Sequence, residues 1–244
     1  MKPYNLLFAF LLLFHHALFA DEITVVTECD NPCKIRESDG LPDSLPTTII
    51  LELFKLTNDI PNIQVLPWAR AYNMALDNKN ILIYSISKTP KREPLFNWVG
   101  DILIERYYVW ELNDNKLTSA ASEHFYKGKS FATYRESNEF DYLNQLEDIT
   151  TYSVVYPNQR LHMLLANRVD YLVESEQTLK ETCLSLNIDC SRFSKVIEVK
   201  ELNTPLSIGI NKDSDPEIVE KYQKAFSSLS SSGTLSHIIN KWKL

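Results

Sequence analysis

Short extended runs alternate along this chain with stretches of helical period, the pattern of an α/β protein with open, largely parallel sheets. Glu22 to Thr27 (EITVVT) reads as the first strand. Leu45 to Thr57 reads as a helix entered through Ser44 and Pro46, with Ile49, Ile50, Leu53, Phe54 and Leu56 on one face. A strand over Ile63 to Leu66, a helix over Trp68 to Leu76 and a strand over Ile81 to Ile86 follow. Asp101 to Glu111 reads as a single long extended run, too long for a strand inside a small lobe.

The second half repeats the style. Strands are expected over Lys129 to Thr133, Tyr152 to Val155 and Tyr171 to Val173, and helices over Asn138 to Leu146, Asn158 to Asn167 and Gln177 to Leu186. Val196 to Lys200 and Leu206 to Ile210 read as extended, and Pro216 to Leu229 and Thr234 to Trp242 as closing helices.

At the N-terminus, Lys2, the apolar run Leu6 to Phe14 and the small residue Ala20 before Asp21 read as a secretory signal over residues 1–20. No cysteine precedes Cys29, so the exported chain is expected to carry no lipid anchor and to lie in the periplasm. Removing Lys2 with the leader leaves 24 basic against 32 acidic residues, a charge of −8. That balance argues against nucleic acid as a partner. Export also changes how the four cysteines read. In an oxidising compartment the local pairs Cys29 with Cys33 and Cys183 with Cys190 suggest disulfides. A zinc site is the rival, but it would need the two distant pairs to converge and has no histidine in ligand spacing, so no metal is expected.

Signatures of catalysis are missing: no G-x-S-x-G, no H-E-x-x-H, and too few glycines for a phosphate loop. His162 reads as a surface or half-buried helix residue, and Glu174 with Glu176 as a solvated turn. No cofactor is expected.

Recognition has more support. Pro67-Trp68-Ala69-Arg70-Ala71, then Ile86-Ser87-Lys88-Thr89-Pro90-Lys91-Arg92-Glu93-Pro94-Leu95-Phe96-Asn97-Trp98-Val99-Gly100, resembles the extracytoplasmic solute-binding proteins of family 3, the polar amino-acid type. The likeness continues in Lys127-Gly128-Lys129, in Leu164 to Asp170 and in Leu229 to Trp242. It implies a two-lobed periplasmic binding protein-like (type II) fold with two crossing hinge strands and a ligand held between the lobes. Residues 21–109 and 206–244 would form lobe 1 and residues 110–205 lobe 2, with crossings around Tyr107 to Glu111 and Asn203 to Ile208.

The resemblance makes Arg92 the carboxylate-binding arginine, a planar guanidinium whose paired N–H groups fit both carboxylate oxygens. Read alone, Arg92 is a charged loop residue. Ser87 and Thr89 would add hydroxyls, although Thr89 could equally cap the turn opened by Pro90. Glu28 matches a ligand-contacting acid, its alternative being a solvated loop acid. Trp68 offers an apolar wall or a cation-stacking face, with core packing as the rival. Arg70 reads as a structural salt-bridge partner. In the second lobe Ser137 and Asn138 match a ligand-facing loop, Ser137 being also a helix cap, while Arg135-Glu136 departs from the small residues usual there. Ser175 stands where relatives carry the aspartate that takes the ligand ammonium, and the side chains of Glu174 and Glu176 are expected to point away from it.

Together these readings imply a monomeric solute-binding protein for a small carboxylate-bearing, amino-acid-like molecule, serving an ABC permease. The alternatives are a sensing module for a membrane receptor and a dehydratase-like enzyme using Glu28.

Overall fold

The computed structural model describes residues 22–29, 34–113 and 125–242. The leader and the Cys29 with Cys33 pairing expected from the sequence lie outside the described residues. Two five-stranded sheets organise the chain.

The first sheet takes β1 (Glu22–Thr27), β2 (Ile60–Val65), β3 (Leu82–Ser87), β4 (Phe96–Ile104) and β10 (Pro205–Asn211), in the order β2-β1-β3-β10-β4. The second takes β5 (Tyr107–Leu112), β6 (Lys129–Tyr134), β7 (Ile149–Val154), β8 (Tyr171–Ser175) and β9 (Phe193–Glu198), in the order β7-β6-β8-β5-β9. Both sheets are mixed, four strands pointing one way and a single strand, β10 in the first and β5 in the second, running against them. In each, the first three strands run parallel and the last two join antiparallel.

Helices cover the faces. On the first sheet α1 (Leu45–Thr57), α6 (Pro216–Ser231) and α7 (Thr234–Trp242) pack one side, where Ile49, Leu53, Tyr222 and Phe226 meet Val25 and Ile208. On the other, α2 (Trp68–Asp77) brings Trp68, Ala71 and Tyr72 against Val26 and Ile83. Adjacent Val25 and Val26 feed opposite cores because strand side chains alternate. The second sheet carries α4 (Pro157–Leu165) and α5 (Glu176–Ser185) on one face, with Leu161, Leu179 and Cys183 packed on Trp110 and Leu172. A short helix α3 (Asn138–Leu143) lies on the other, with Tyr107, Phe131 and Tyr171. Cys183 and Cys190 are disulfide-bonded, joining α5 to the turn before β9.

The run from Asp101 to Glu111 is two strands, not one. β4 ends at Ile104 in the first sheet and β5 starts at Tyr107 in the second, so Glu105-Arg106 is the outward crossing. The return lies at Asn203-Thr204, between a 3₁₀ turn at Lys200–Leu202 and β10. Asn203 ties both crossings: its Oδ1 accepts from Tyr107 N–H at 2.9 Å and its Nδ2 donates to Glu198 Oε1 at 2.8 Å.

Candidate functional site

The site is built where parallel strands end. Glu28 follows β1, Ser87 closes β3, and Tyr134 closes β6, all at carboxyl ends of parallel strands, where open α/β sheets present ligand contacts. Ser85, with φ 61°, is the extra residue of a β-bulge opposite Ser207/Ile208, which bends the end of β3. A tight turn follows. Thr89 N–H donates to Ser87 O at 3.0 Å, and Arg92 N–H donates to Thr89 O at 2.9 Å and to its hydroxyl at 3.3 Å. Thr89 thus shapes the turn that carries Arg92, as its capping alternative had it.

The Arg92 side chain is turned inward and is 2% exposed. Its guanidinium lies 5.0 Å from the ring centres of both Trp68 and Tyr72, which stack on each other at 5.5 Å. Such a desolvated cation–π contact contributes up to about 2 kcal/mol. Nη1 donates to Ser87 O at 3.3 Å and Nη2 to Glu136 O, across the seam, at 2.7 Å. Trp68 therefore both packs in the core and presents a stacking face, and its Nε1 donates to the same Glu136 carbonyl at 2.8 Å. Among the described residues no carboxylate pairs with Arg92. A buried cation with only neutral acceptors favours any anion that can reach it.

Glu136 reaches this position through a left-handed backbone, φ 62°, a conformation that suits the small residues expected there. Its carboxylate accepts from Asn73 Nδ2 at 3.0 Å. Further contacts bridge the two sheets' lobes: Asn138 Nδ2 donates to Ser87 Oγ at 3.0 Å, Tyr134 OH donates to Glu28 Oε1 at 3.3 Å, and Lys91 pairs with Asp141 at 2.6 Å. The structure thus brings Glu28, Trp68, Ser87, Arg92 and Asn138 to one seam, shut by direct contacts. Ser137 is buried beside them as the cap of α3, accepting from Phe140 N–H at 3.0 Å. A surface groove of about 400 Å³ lies elsewhere, lined by Thr48 and Glu52 of α1, Asp59 of the following turn and Pro61 of β2.

Ser175 is engaged differently. Its hydroxyl caps α5, accepting from Thr178 N–H at 3.0 Å, and donates to Glu105 Oε1 at 3.0 Å, at the outward crossing. Glu174 is not part of a solvated turn. It is buried, pairs with Arg160 at 2.5 Å and accepts from Ser175 N–H at 2.9 Å. β8 is a central strand buried on both faces, so an acid on it is enclosed rather than solvated. Glu176 is the partner on the surface, where hydrogen bonding from Lys195, outweighing its slight burial, holds its carboxyl below the usual range. Arg70 is exposed and has no ion pair among the described residues, against the structural role expected of it. His162 is exposed on α4.

Sequence reasoning missed Arg160, Glu139 and the two tyrosines. Arg160 lies 4.1 Å from the Tyr134 ring centre. Burial, followed by Glu28 and Glu139, pushes the Tyr134 phenol well above its usual range, with Arg160 opposing and Glu174 adding to the rise. Tyr107 is raised likewise by burial, then by Glu139, Glu105 and Glu174, with Asn138 opposing. Both phenols stay protonated, and that of Tyr134 donates to Glu28. Among the described residues, no group of three or more His, Cys, Asp or Glu side chains is placed to hold a metal ion.

Solved structures similar to this chain share its two-sheet architecture over about nine tenths of its length. A histidine kinase sensor domain with similarity to periplasmic binding proteins matches with TM-score 0.77 at 16% identity, over 91% of this chain and 96% of its own. The fold is that of the two-lobed periplasmic binding proteins. The substrate-binding protein of an amino acid ABC transporter matches with TM-score 0.77 at 13% identity, over 91% of this chain and 98% of its own. An amino acid ABC transporter substrate-binding protein from Streptococcus pneumoniae, bound to L-arginine, matches with TM-score 0.74 at 14% identity, over 90% and 93%. No protein-family model and no curated protein matches the sequence. At such identities the likeness is one of fold.

Proposed function

We propose that this protein is a periplasmic solute-binding protein that captures a small, amino-acid-like carboxylate between its lobes and presents it to an ABC permease. The observation that carries this reading is the Arg92 guanidinium, buried against Trp68 and Tyr72 in the interlobe seam with a main-chain carbonyl as its cross-seam partner. When the lobes part, that donor is released, and a carboxylate can take the place of the Glu136 carbonyl with two parallel charge-assisted bonds. Ser87 and Asn138 then offer a hydroxyl and an amide from opposite lobes, while Glu28 and Trp68 line the first. Thr89 sets the turn, and Ser137 and Ser175 hold α3 and α5. Binding that engages both lobes favours closure by its differential affinity for the closed state, and closure is what a partner reads.

The lobes follow the expected division of residues 21–109 with 206–244 and residues 110–205, moved to the crossings at Glu105-Arg106 and Asn203-Thr204, so that Tyr107 to Val109 belong to the second lobe and Pro205 to the first. Residues 1–20 act as an export signal, and the mature chain works as a monomer without lipid. Its role is binding, with no residue assigned to catalysis. Among the described residues no helix is long and apolar enough to cross a membrane. A second reading, ligand sensing for a membrane receptor, draws on the sensor domain that shares the fold.

The test is a thermal-shift and calorimetric screen of the mature protein against the L-amino acids and small carboxylates, repeated with Arg92→Ala. At least one carboxylate is expected to raise the melting temperature of the wild type, and the variant should lose that shift. If no carboxylate binds the wild type, or binding survives in Arg92→Ala, the proposal fails.

A further inference from the structure

Glu136 is held in the left-handed region, φ 62°, on the turn between β6 and α3. A residue with a Cβ adopts that backbone at a cost, and such strain persists only where other contacts enforce it. Here the enforcing contacts come from the opposite lobe. Trp68 Nε1 and Arg92 Nη2 donate to the Glu136 carbonyl at 2.8 and 2.7 Å, and Asn73 Nδ2 donates to its carboxylate at 3.0 Å. One residue of the second lobe thus accepts three hydrogen bonds from the first.

The two donors that meet at the carbonyl oxygen are both buried, and one of them is a cation. A guanidinium and an indole N–H aimed at one point form a reception for an anionic oxygen, which they hold more strongly than a neutral carbonyl. The Glu136 oxygen therefore stands where a ligand oxygen would be received. While it is there no ligand reaches either donor, and the same bonds draw the empty lobes together.

We propose that Glu136 is a built-in stand-in for the ligand: it latches the empty protein shut through Arg92, Trp68 and Asn73, and a ligand loads by displacing it. This rests on the carboxylate capture proposed above and adds the regulation of the same site. The affinity a ligand meets is the intrinsic one reduced by the fraction of molecules that are unlatched, so the latch sets the concentration at which the protein loads. The strain at Glu136 keeps that latch weak enough to yield. A residue that fits the left-handed backbone should hold it shut, and one that resists that backbone should let it go.

The experiment compares the wild type with Glu136→Val, Glu136→Gly and Asn73→Ala, each shown by circular dichroism to be folded. Small-angle X-ray scattering reads the ligand-free radius, and isothermal titration calorimetry reads binding of the twenty L-amino acids, acetate and succinate. Valine resists a positive φ and glycine adopts it freely, while neither carries a carboxylate, so the pair separates the carbonyl from the side chain. Glu136→Val is expected to be larger than the wild type when empty and to bind carboxylates roughly five-fold tighter or more. Glu136→Gly should stay as compact as the wild type and bind no tighter. Asn73→Ala, an exposed change on α2, leaves both carbonyl donors in place and should move in the direction of Glu136→Val by a smaller step. Equal radii or equal affinities in the wild type and Glu136→Val would refute the stand-in and leave carboxylate capture standing, and so would a Glu136→Gly that behaves like Glu136→Val. Should the valine variant not fold, an Asn73→Ala that binds no tighter than the wild type refutes it in the same way. If no carboxylate binds the wild type, carboxylate capture fails and this inference falls with it.

Discussion

Lys91 Nζ and Asp141 Oδ1 meet at 2.6 Å across the seam, one from the turn after β3 and the other from α3. The pair is exposed on the lysine side, so it contributes little to global stability, roughly 0–1 kcal/mol. Its geometry matters more for the balance between open and shut lobes. Lys91→Glu sets two like charges face to face, and small-angle X-ray scattering of the ligand-free variant should give a larger radius of gyration with little change in melting temperature. An unchanged radius would mean that the remaining bridges hold the seam without this pair.

The Arg160–Glu174 pair is buried on both sides and should behave in the opposite way. Arg160→Ala leaves the Glu174 carboxylate in the interior without its cation, at a cost of about 3–5 kcal/mol. Removing both charges together, as Arg160→Met with Glu174→Gln, should cost clearly less than the sum of the single changes. Urea denaturation of the four proteins in the cycle measures this coupling, and additive losses would refute it.

Gly100 on β4 lies beneath the Phe226 ring of α6. A Cβ added at Gly100 would fall 2.1 Å from two of its ring carbons. The ring is itself buried, so Gly100→Ala must push α6 off the sheet, and a loss of about 1–3 kcal/mol is expected. Gly100→Ala combined with Phe226→Leu should recover part of the melting temperature. A single variant as stable as the wild type would contradict this packing.

Asp170 offers a test by pH. Partial burial works against its charge, but the hydroxyl and N–H of Ser130, with Lys129 nearby, outweigh it and hold the carboxyl below the ordinary aspartate range. A lowered folded pKa means stability that is present in full above the ordinary aspartate value and lost as pH falls through the lowered one. Asp170→Asn should therefore melt lower than the wild type at pH 7. The difference should shrink as the pH drops below about 4. A gap that stays constant down to pH 2.5 would show that the charge contributes nothing.

Much of this architecture was legible because its elements carry their own signals. Ser44 and Pro46 open α1 as the sequence implies, with Ser44 Oγ accepting from Thr47 N–H. The pattern Ile49, Ile50, Leu53, Phe54 marks the buried face of that helix. Glu105-Arg106 was passed over because both flanking strands are apolar, and hydropathy does not record that hydrogen bonding moves to another sheet. The only local trace was two adjacent charges inside an extended run. The seam was legible in part. Arg92 stood out only through its company of Ser87, Thr89 and Trp68, and nothing local foretold that Glu136 would turn its carbonyl toward it. Arg160 and Glu174 are fourteen residues apart on different elements, and only the packed fold makes them partners.

The Asn203 side chain has a mechanical consequence. With one end it holds the start of β5 and with the other it holds Glu198 at the end of β9. The outgoing and incoming chains are therefore fastened at a common point beside both crossings. A pivot clasped in this way suits rotation of one half against the other better than sliding, so a substitution such as Asn203→Ala would loosen the joint itself while leaving both jaws intact.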